Sequence, residues 1–397
     1  MRAATPAILT LNGGSSSIKF AVYELAEPPR RSRHGTLSRI SLPSPTLTVT
    51  DPATGSTVSI PMAATDPTVA VQLLVAWLEQ QPGFTAITAI GHRVVHGLAH
   101  QAPERVTPAL LTELHRIRAY DPDHLPLEIA LIEAFQARHP QLIQIACFDT
   151  AFHRSMPRVA QLLPIPRRFD AQGIRRYGFH GLSCAYLMRE LTRLAGPAAA
   201  HGRVILAHLG NGASLTAVRE GQSVDTSMGF TPTGGLPMGT RPGDLDPGVL
   251  WYLLQAEKLT PEQLNHLLNH ESGLLGVSET SSDMRDLLAL QATDVRAAEA
   301  VELFCYQTRK GIGAFAAVLG GLDTLVFAGG IGEHAAEVRT RVCHHLEFLG
   351  LELDEQRNAT HAAVISTAAS CVTVRVIPTD EELVIAQTVG RLLSGAG

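Results

Sequence analysis

The chain has 397 residues, 45% of them apolar and 17% charged, with a formal net charge of −5. That length exceeds what one hydrophobic core organises, so two domains are expected, and the composition is that of a well-buried globular enzyme rather than a disordered or fibrous chain. The acidic balance argues against broad nucleic-acid binding, which needs a basic face; an anionic ligand must be held by a few placed Arg and Lys residues.

Apolar alternation and turn residues give the elements in chain order. Ala7–Leu11 and Ile18–Tyr23 read as β-strands around the turn Asn12-Gly13-Gly14-Ser15-Ser16-Ser17. The stretch 28–67, rich in Pro, Ser and Thr, reads as short strands and loops with little catalytic content. Thr68–Gln80 is a helix, Ile87–Val95 a strand, and Pro108–Ala119 a helix that Thr107 caps with proline in its first position. Helix Leu127–Arg138, strand Leu142–Phe148 and helix Leu182–Leu194 follow. Strands Val204–Leu209 and Leu215–Val218 flank Gly210-Asn211-Gly212-Ala213-Ser214, a second strand–turn–strand of the first design. Helix Pro247–Gln255, capped by Asp246, the Ala-rich helix Val295–Leu319 and strands Leu325–Ala328 and Val372–Ile377 complete the set. Strands alternating with helices imply α/β domains with mixed sheets flanked by helices. A boundary near residue 150 puts each Gly/Ser turn at the head of its own half. The expected domains are residues 1–150, rejoined by a C-terminal helix over 383–397, and residues 151–382, with an active site in the cleft between them.

The cysteines Cys147, Cys184, Cys305, Cys343 and Cys371 are scattered, odd in number and without a C-x-x-C pair. A disulfide framework or zinc site is therefore not expected, and a cytoplasmic location fits best. The start Met1-Arg2-Ala3-Ala4-Thr5-Pro6 shows no signal-peptide pattern, and glycines with Asp323 interrupt the apolar stretch 311–332, so no membrane partner is expected.

The chemistry concentrates in the turns. Unpaired N–H groups in a Gly/Ser hairpin tip form a nest for an anion, and two such tips suggest a duplicated fold gripping a polyphosphate. The loop 227–247, from Ser227 to Pro247, is long, rich in Gly and Pro, and carries one cation, Arg241. A rigid loop that presents a single guanidinium suits a site where charge is placed and water excluded. His92, His96 and His100 recur every four residues, but in a β-like, Gly-flanked context where that spacing does not make a metal face.

Asn12–Ser17, Gly91-His92-Arg93-Val94-Val95-His96-Gly97, Phe148-Asp149-Thr150-Ala151-Phe152-His153, Arg176-Tyr177-Gly178-Phe179-His180-Gly181, His208–Ser214, the 227–247 loop, Gly329-Gly330-Ile331-Gly332-Glu333 and Pro378-Thr379-Asp380-Glu381-Glu382 run in an order that resembles the acetate kinase (acetokinase) family from end to end. The resemblance implies a duplicated acetate and sugar kinase/Hsc70/actin fold, related to ribonuclease H. It also implies a homodimer, and transfer of the ATP γ-phosphoryl group to acetate with Mg2+, or Mn2+ in its place. A carboxylate is already anionic, so its attack on phosphorus needs charge neutralisation and alignment more than proton removal. Arg93 and Arg241 are then the clamps on the acyl carboxylate and the equatorial phosphoryl oxygens. By resemblance His180 donates a hydrogen bond to the phosphoryl group, although alone it reads as a core histidine. Asp149 organises the reacting groups, its alternative being a cap on the next turn.

The resemblance also makes Asn12 and Glu381 the metal candidates, while Thr379-Asp380-Glu381-Glu382 doubles as a capping box with Thr379 as cap and Glu382 reaching back. Ser17 and Lys19 stand ready to assist the phosphates. His208, Leu209, Gly210, Asn211 and Gly212 are assigned to the nucleotide phosphates, Asp283, Met284 and Arg285 to adenosine, and Gly330, Ile331, Gly332, Glu333 and His334 to a nucleotide seat before a helix. Val95, Phe179 and Pro232 line a small apolar acyl pocket. The family's Leu-His-Asn-Pro segment is replaced by Asp123-His124-Leu125-Pro126, which leaves the acyl preference open, and Cys184 stands where the family often has a polar residue. Propionate is the alternative acid. A nucleotide-driven binding module of the same fold is the alternative of another class.

Overall fold

The computed structural model describes residues 5–14, 17–40, 44–64 and 66–395. The chain divides into two compact units, Met1–Ala151 with Asp380–Gly397, and Phe152–Thr379. Among the described residues the first unit holds an eight-stranded sheet in the order β5-β4-β3-β2-β1-β6-β8-β7. Its strands are β1 (Ala7–Gly13), β2 (Ser17–Glu24), β3 (Arg30–Ser38), β4 (Thr46–Asp51), β5 (Ser56–Pro61), β6 (Ile87–Val94), β7 (Glu104–Arg105) and β8 (Ile143–Phe148). β1, β6 and β8 are parallel neighbours, while β1 to β5 form an antiparallel meander. The stretch 28–67 thus builds a whole wing of the sheet. Its alternating Thr46-Leu47-Thr48-Val49 pairs with β3 and buries Leu37 and Leu47, as period-two patterning requires.

Helices α1 (Pro67–Glu79), α2 (Pro108–Ile117) and α3 (Leu125–Arg138) follow this sheet in the chain. Asp66 and Thr107 cap the first two, each accepting a backbone N–H of the opening turn, with proline just inside. Leu74 and Leu78 of α1 and Leu131 and Phe135 of α3 pack with Leu9, Leu11, Ile18 and Phe20 in one core cluster. The helix Glu381–Leu393 returns to this unit and buries Val384, Ile385 and Val389. Asp380, not Thr379, caps it: the Asp380 carboxylate accepts the Leu383 N–H at 3.0 Å and pairs with Arg31. The Thr379 hydroxyl is instead hydrogen-bonded with Ser183, so the expected capping box does not form.

The second unit holds a five-stranded sheet, β11-β10-β9-β12-β13. Its strands are β9 (Arg203–Leu209), β10 (Ala213–Arg219), β11 (Gln222–Thr226), β12 (Thr324–Ala328) and β13 (Thr373–Val376). β9 to β11 are antiparallel, and β9, β12 and β13 are parallel. This repeats the β3-β2-β1-β6-β8 plan of the first sheet strand for strand, which is the duplication the paired turns imply. Leu187, Met188 and Leu191 of helix Gly181–His201 pack against Val204, Leu206, Val218 and Val326. That helix breaks at Gly196 (φ 82) before Pro197, just past its expected end at Leu194. Among the described residues no helix is long and apolar enough to cross a membrane.

Candidate active site

In the first unit the parallel strands end on a knot of buried charge. β1 ends at the hairpin tip, where Asn12 is 8% exposed and its Nδ2 donates to Glu381 Oε2 at 3.0 Å. Gly14 N–H closes the turn on the Ser17 carbonyl at 2.7 Å; Ser15 and Ser16 lie outside the described residues. Lys19 pairs with Asn12 in register across the hairpin and is exposed. β6 delivers Arg93, whose Nη2 reaches Asp149 at 3.0 Å and whose Nη1 reaches both Glu128 and the Gly13 carbonyl at 3.3 Å. Asp149 follows β8 and is fully buried, as is Val95 after β6. Arg93, Asp149, Glu381 and Asn12 therefore gather at one edge of one sheet.

Burial acts against the charge of Arg93, but Asp149, Glu128 and Glu381 outweigh it and hold the guanidinium protonated. Burial likewise pushes Glu128 up to about 8, against the pull of Arg93 and of the Val95 N–H. Glu381 is raised by burial and then by Asp149, with Arg93 and Lys19 opposing. The Asn12 carbonyl and the Glu381 carboxylate form an all-oxygen donor pair beside Asp149. That set suits a hard cation such as Mg2+, which keeps several waters and needs one or two protein oxygens.

In the second unit the β9–β10 tip meets different chemistry. Gly210 N–H bonds the Gly212 carbonyl at 2.9 Å, which makes the turn tight, and Asn211 is exposed at its crest. A Cβ on Gly212 would lie 2.9 Å from Arg241 Nη2 and 3.2 Å from His180 Nε2, so only glycine lets both side chains press on the tip. His180 sits at the start of helix Gly181–His201 with φ 58, its Nδ1 bonded to Ser214 Oγ at 2.9 Å. That bond orients the ring and directs Nε2 to the tip. Its ring packs 4.2 Å from that of His208, whose Nδ1 meets Ser183 Oγ at 2.8 Å. Arg241 Nη1 is braced on the Pro232 carbonyl at 2.8 Å. His153, fully buried, bonds the Phe179 carbonyl at 2.9 Å and fixes the residue before His180.

The seat Gly330–His334 opens directly from β12, which pairs with β9 up to Ala328 beside His208. Glu333 turns inward: its Oε1 accepts the Gly329 and Thr379 N–H groups at 2.9 and 3.2 Å and acts as a strut. His334 is exposed. Asp283 caps helix Met284–Leu290 and pairs with Arg285 at 2.6 Å, while Met284 is buried.

Several groups lie differently from their sequence reading. The buried acid of the 121–126 segment is Asp121, whose Oδ1 bonds His124 Nδ1 at 2.8 Å while Oδ2 has no hydrogen-bond partner; Asp123 is half-buried. His92, His96 and His100 face Gln144 at 2.7 Å, the Leu98 N–H at 3.2 Å and Glu104 at 2.6 Å respectively. Burial lowers His92 to about 4, which keeps that ring neutral. Cys184 is buried against Thr216. Glu128, Ser214, Ser183 and His153 are the residues sequence reasoning missed as site members. For Glu128 a signal existed: Leu125, Glu128, Ile132 and Phe135 share a helical stripe whose other members are all buried, an abnormal place for a carboxylate.

The sequence model of the acetokinase family matches residues 7–387. An acetate kinase of Rhodopseudomonas palustris is 46% identical over 395 residues, covering 98% of both chains. A propionate kinase of Salmonella typhimurium is 42% identical over 97% of this chain and 96% of its own. The crystal structure of Porphyromonas gingivalis acetate kinase superposes with a TM-score of 0.87 at 36% identity, covering 98% of this chain and 100% of that one.

Proposed function

The chain belongs to the acetokinase family, and on that premise we propose that it is an acetate kinase, a phosphotransferase with a carboxyl group as acceptor. ATP supplies the γ-phosphoryl group, and acetyl phosphate and ADP are the products. The observation that carries the reading is the pair of guanidinium groups, Arg93 and Arg241, each braced by its own unit beside a Gly-rich hairpin tip.

In this mechanism Arg93 receives the acetate carboxylate, and the methyl group lies against Val95, Phe179 and Pro232. The β9–β10 tip, with the Gly330–His334 seat and Asp283–Arg285, holds the nucleotide. A carboxylate oxygen attacks the γ-phosphorus in line, the bond to the β,γ-bridging oxygen breaks, and its electron pair leaves with ADP. His180 Nε2 donates to a phosphoryl oxygen, while Arg241 offsets the equatorial charge as it develops. Asp149 orients Arg93 and needs to take no proton, because the nucleophile is already ionised. Asn12 and Glu381 would hold Mg2+, which when bound offsets phosphate charge. Lys19 and Ser17 assist the tail at the first tip.

Helix Pro247–Gln255 supports a homodimer: it has no buried residue, and Val249, Trp251 and Tyr252 are exposed on it. A monomer in sedimentation would overturn that assignment. The free cysteines, of which all but Cys371 are buried, suit a cytoplasmic protein. The activity is tested by trapping acyl phosphate as its hydroxamate with acetate, propionate and butyrate in parallel, with Arg241→Ala as control. Acetate should give the highest kcat/KM. A pronounced propionate preference would move the assignment to the alternative acid, and no product with any acid would favour a nucleotide-driven binding module.

A further inference from the structure

Glu128 is a charged residue on the buried stripe of α3, 2% exposed, between Leu127 and Ile129. A carboxyl group held out of water at this depth is costly unless its oxygens are occupied. Both are. Oε2 accepts the Val95 N–H at 2.9 Å, and Oε1 meets Arg93 Nη1 at 3.3 Å. Its stem reaches a third element: a Cβ on Gly13 would lie 3.2 Å from Glu128 Cγ, so the last residue of β1 is a glycine where this side chain crosses it. The Gly13 carbonyl in turn accepts from the same Arg93 Nη1. One carboxyl group thus touches the cation, the pocket wall and the base of the first hairpin tip.

We propose that Glu128 is the positioning residue of the acid-binding half-site, fixing Arg93 and the Val95 backbone in one rigid geometry for the incoming carboxylate. The inference rests on the acid-kinase reading given above. Asp149 alone would anchor only Nη2, and the guanidinium plane could still swing about that contact. The contacts of Nη1 to Glu128 and to the Gly13 carbonyl remove this freedom, and the Val95 bond ties the apolar wall to the same carboxyl group. A substrate that must present its oxygen in line with phosphorus loses rate steeply when its clamp is loose. Glu128 acts first on the acid, because its hydrogen bonds go to Arg93 and Val95, the two residues that receive the acid.

The test compares wild type with Glu128→Leu, which removes both contacts, and Glu128→Gln, which keeps an acceptor for the Val95 N–H. Glu128→Leu should raise the KM for acetate about 20-fold while the KM for ATP stays within about twofold, and Glu128→Gln, which keeps the Val95 acceptor but gives up the one facing Arg93, should recover only part of the loss. A residue needed only for folding would lower melting temperature and active fraction and leave both KM values alone, and that result overturns the proposal. So does an equal rise of both KM values. Should Glu128→Leu fail to fold, Glu128→Asp, whose shorter stem withdraws from Val95 and Arg93, takes its place in the same comparison. Fluoroacetate binding by 19F NMR separates this from the activity reading. If wild type forms no acyl phosphate, loss of that binding in Glu128→Leu and its partial retention in Glu128→Gln still sustain the positioning role, whereas equal binding by all three ends it.

Discussion

The two hairpin tips share a strand plan and differ in what surrounds them. The β1–β2 tip stands among carboxyl groups, Glu128, Asp149 and Glu381, gathered about Arg93. The β9–β10 tip is faced by His180 and Arg241, the first held on a serine and the second on a backbone carbonyl. The duplicated topology therefore fixes where a ligand edge lies, and the residues placed just beyond each strand end decide which ligand it suits. On the proposed function the acidic side takes the cation and the acid, and the basic side takes the phosphate.

If that division of labour is right, removing the basic side's guanidinium has the largest effect. Arg241→Ala should lower kcat by about 1000-fold or more with little change in the KM for acetate, read by hydroxamate formation. A loss seen mainly as a raised acetate KM would blur the two sides. Gly212→Ala, whose new methyl would press on Arg241 and His180, should cost about 10- to 100-fold in kcat with no change in melting temperature beyond a few degrees. Wild-type kinetics in this variant would mean the tip does not carry the phosphoryl group.

Asp380→Ala sharpens the contrast from the structural side. It removes the cap of helix Glu381–Leu393 and a half-exposed pair with Arg31, and should cost about 1–2 kcal/mol in urea unfolding while kcat changes little. Thr379→Val should leave the helix cap intact, since Thr379 does not form it. A further effect is that of pH on the acidic side. Burial raises Glu128 above its ordinary value of 4.5 toward about 8, so the folded state binds the proton more tightly than the unfolded one. Its contribution is full below about pH 4.5 and is lost as pH rises through about 8. Glu128→Gln should therefore lose less stability than wild type between about pH 5 and pH 8, and identical slopes would contradict the burial argument.

Much of this architecture was legible in the chain. Alternation over Ala7–Leu11 and Val204–Leu209, and caps such as Thr107-Pro108 and Asp246-Pro247, are local signals that tertiary packing did not override. The meander β3–β5 was harder to see, because Pro, Ser and Thr on an outer wing satisfy strand geometry without an apolar run. The cap at Asp380 was missed because two adjacent residues could each cap the helix, and the choice was settled by what each side chain meets, Arg31 for one and Ser183 for the other. Arg93, Asp149, His180 and Arg241 were singled out through their motifs. Their supports, Glu128, Ser214 and His153, come from elements distant in the chain, and only folding brings them to the residues they hold.

The account's central claim is a single direct displacement, in which the acid held on the carboxylate-rich side attacks phosphorus held on the basic side. It is tested most directly by running the reaction with ATP made chiral at the γ-phosphorus with oxygen isotopes and reading the configuration of the acyl phosphate formed. One in-line attack inverts phosphorus, so inversion is the predicted result. Retention would require two displacements through a phosphorylated side chain and would contradict the mechanism drawn from these two half-sites.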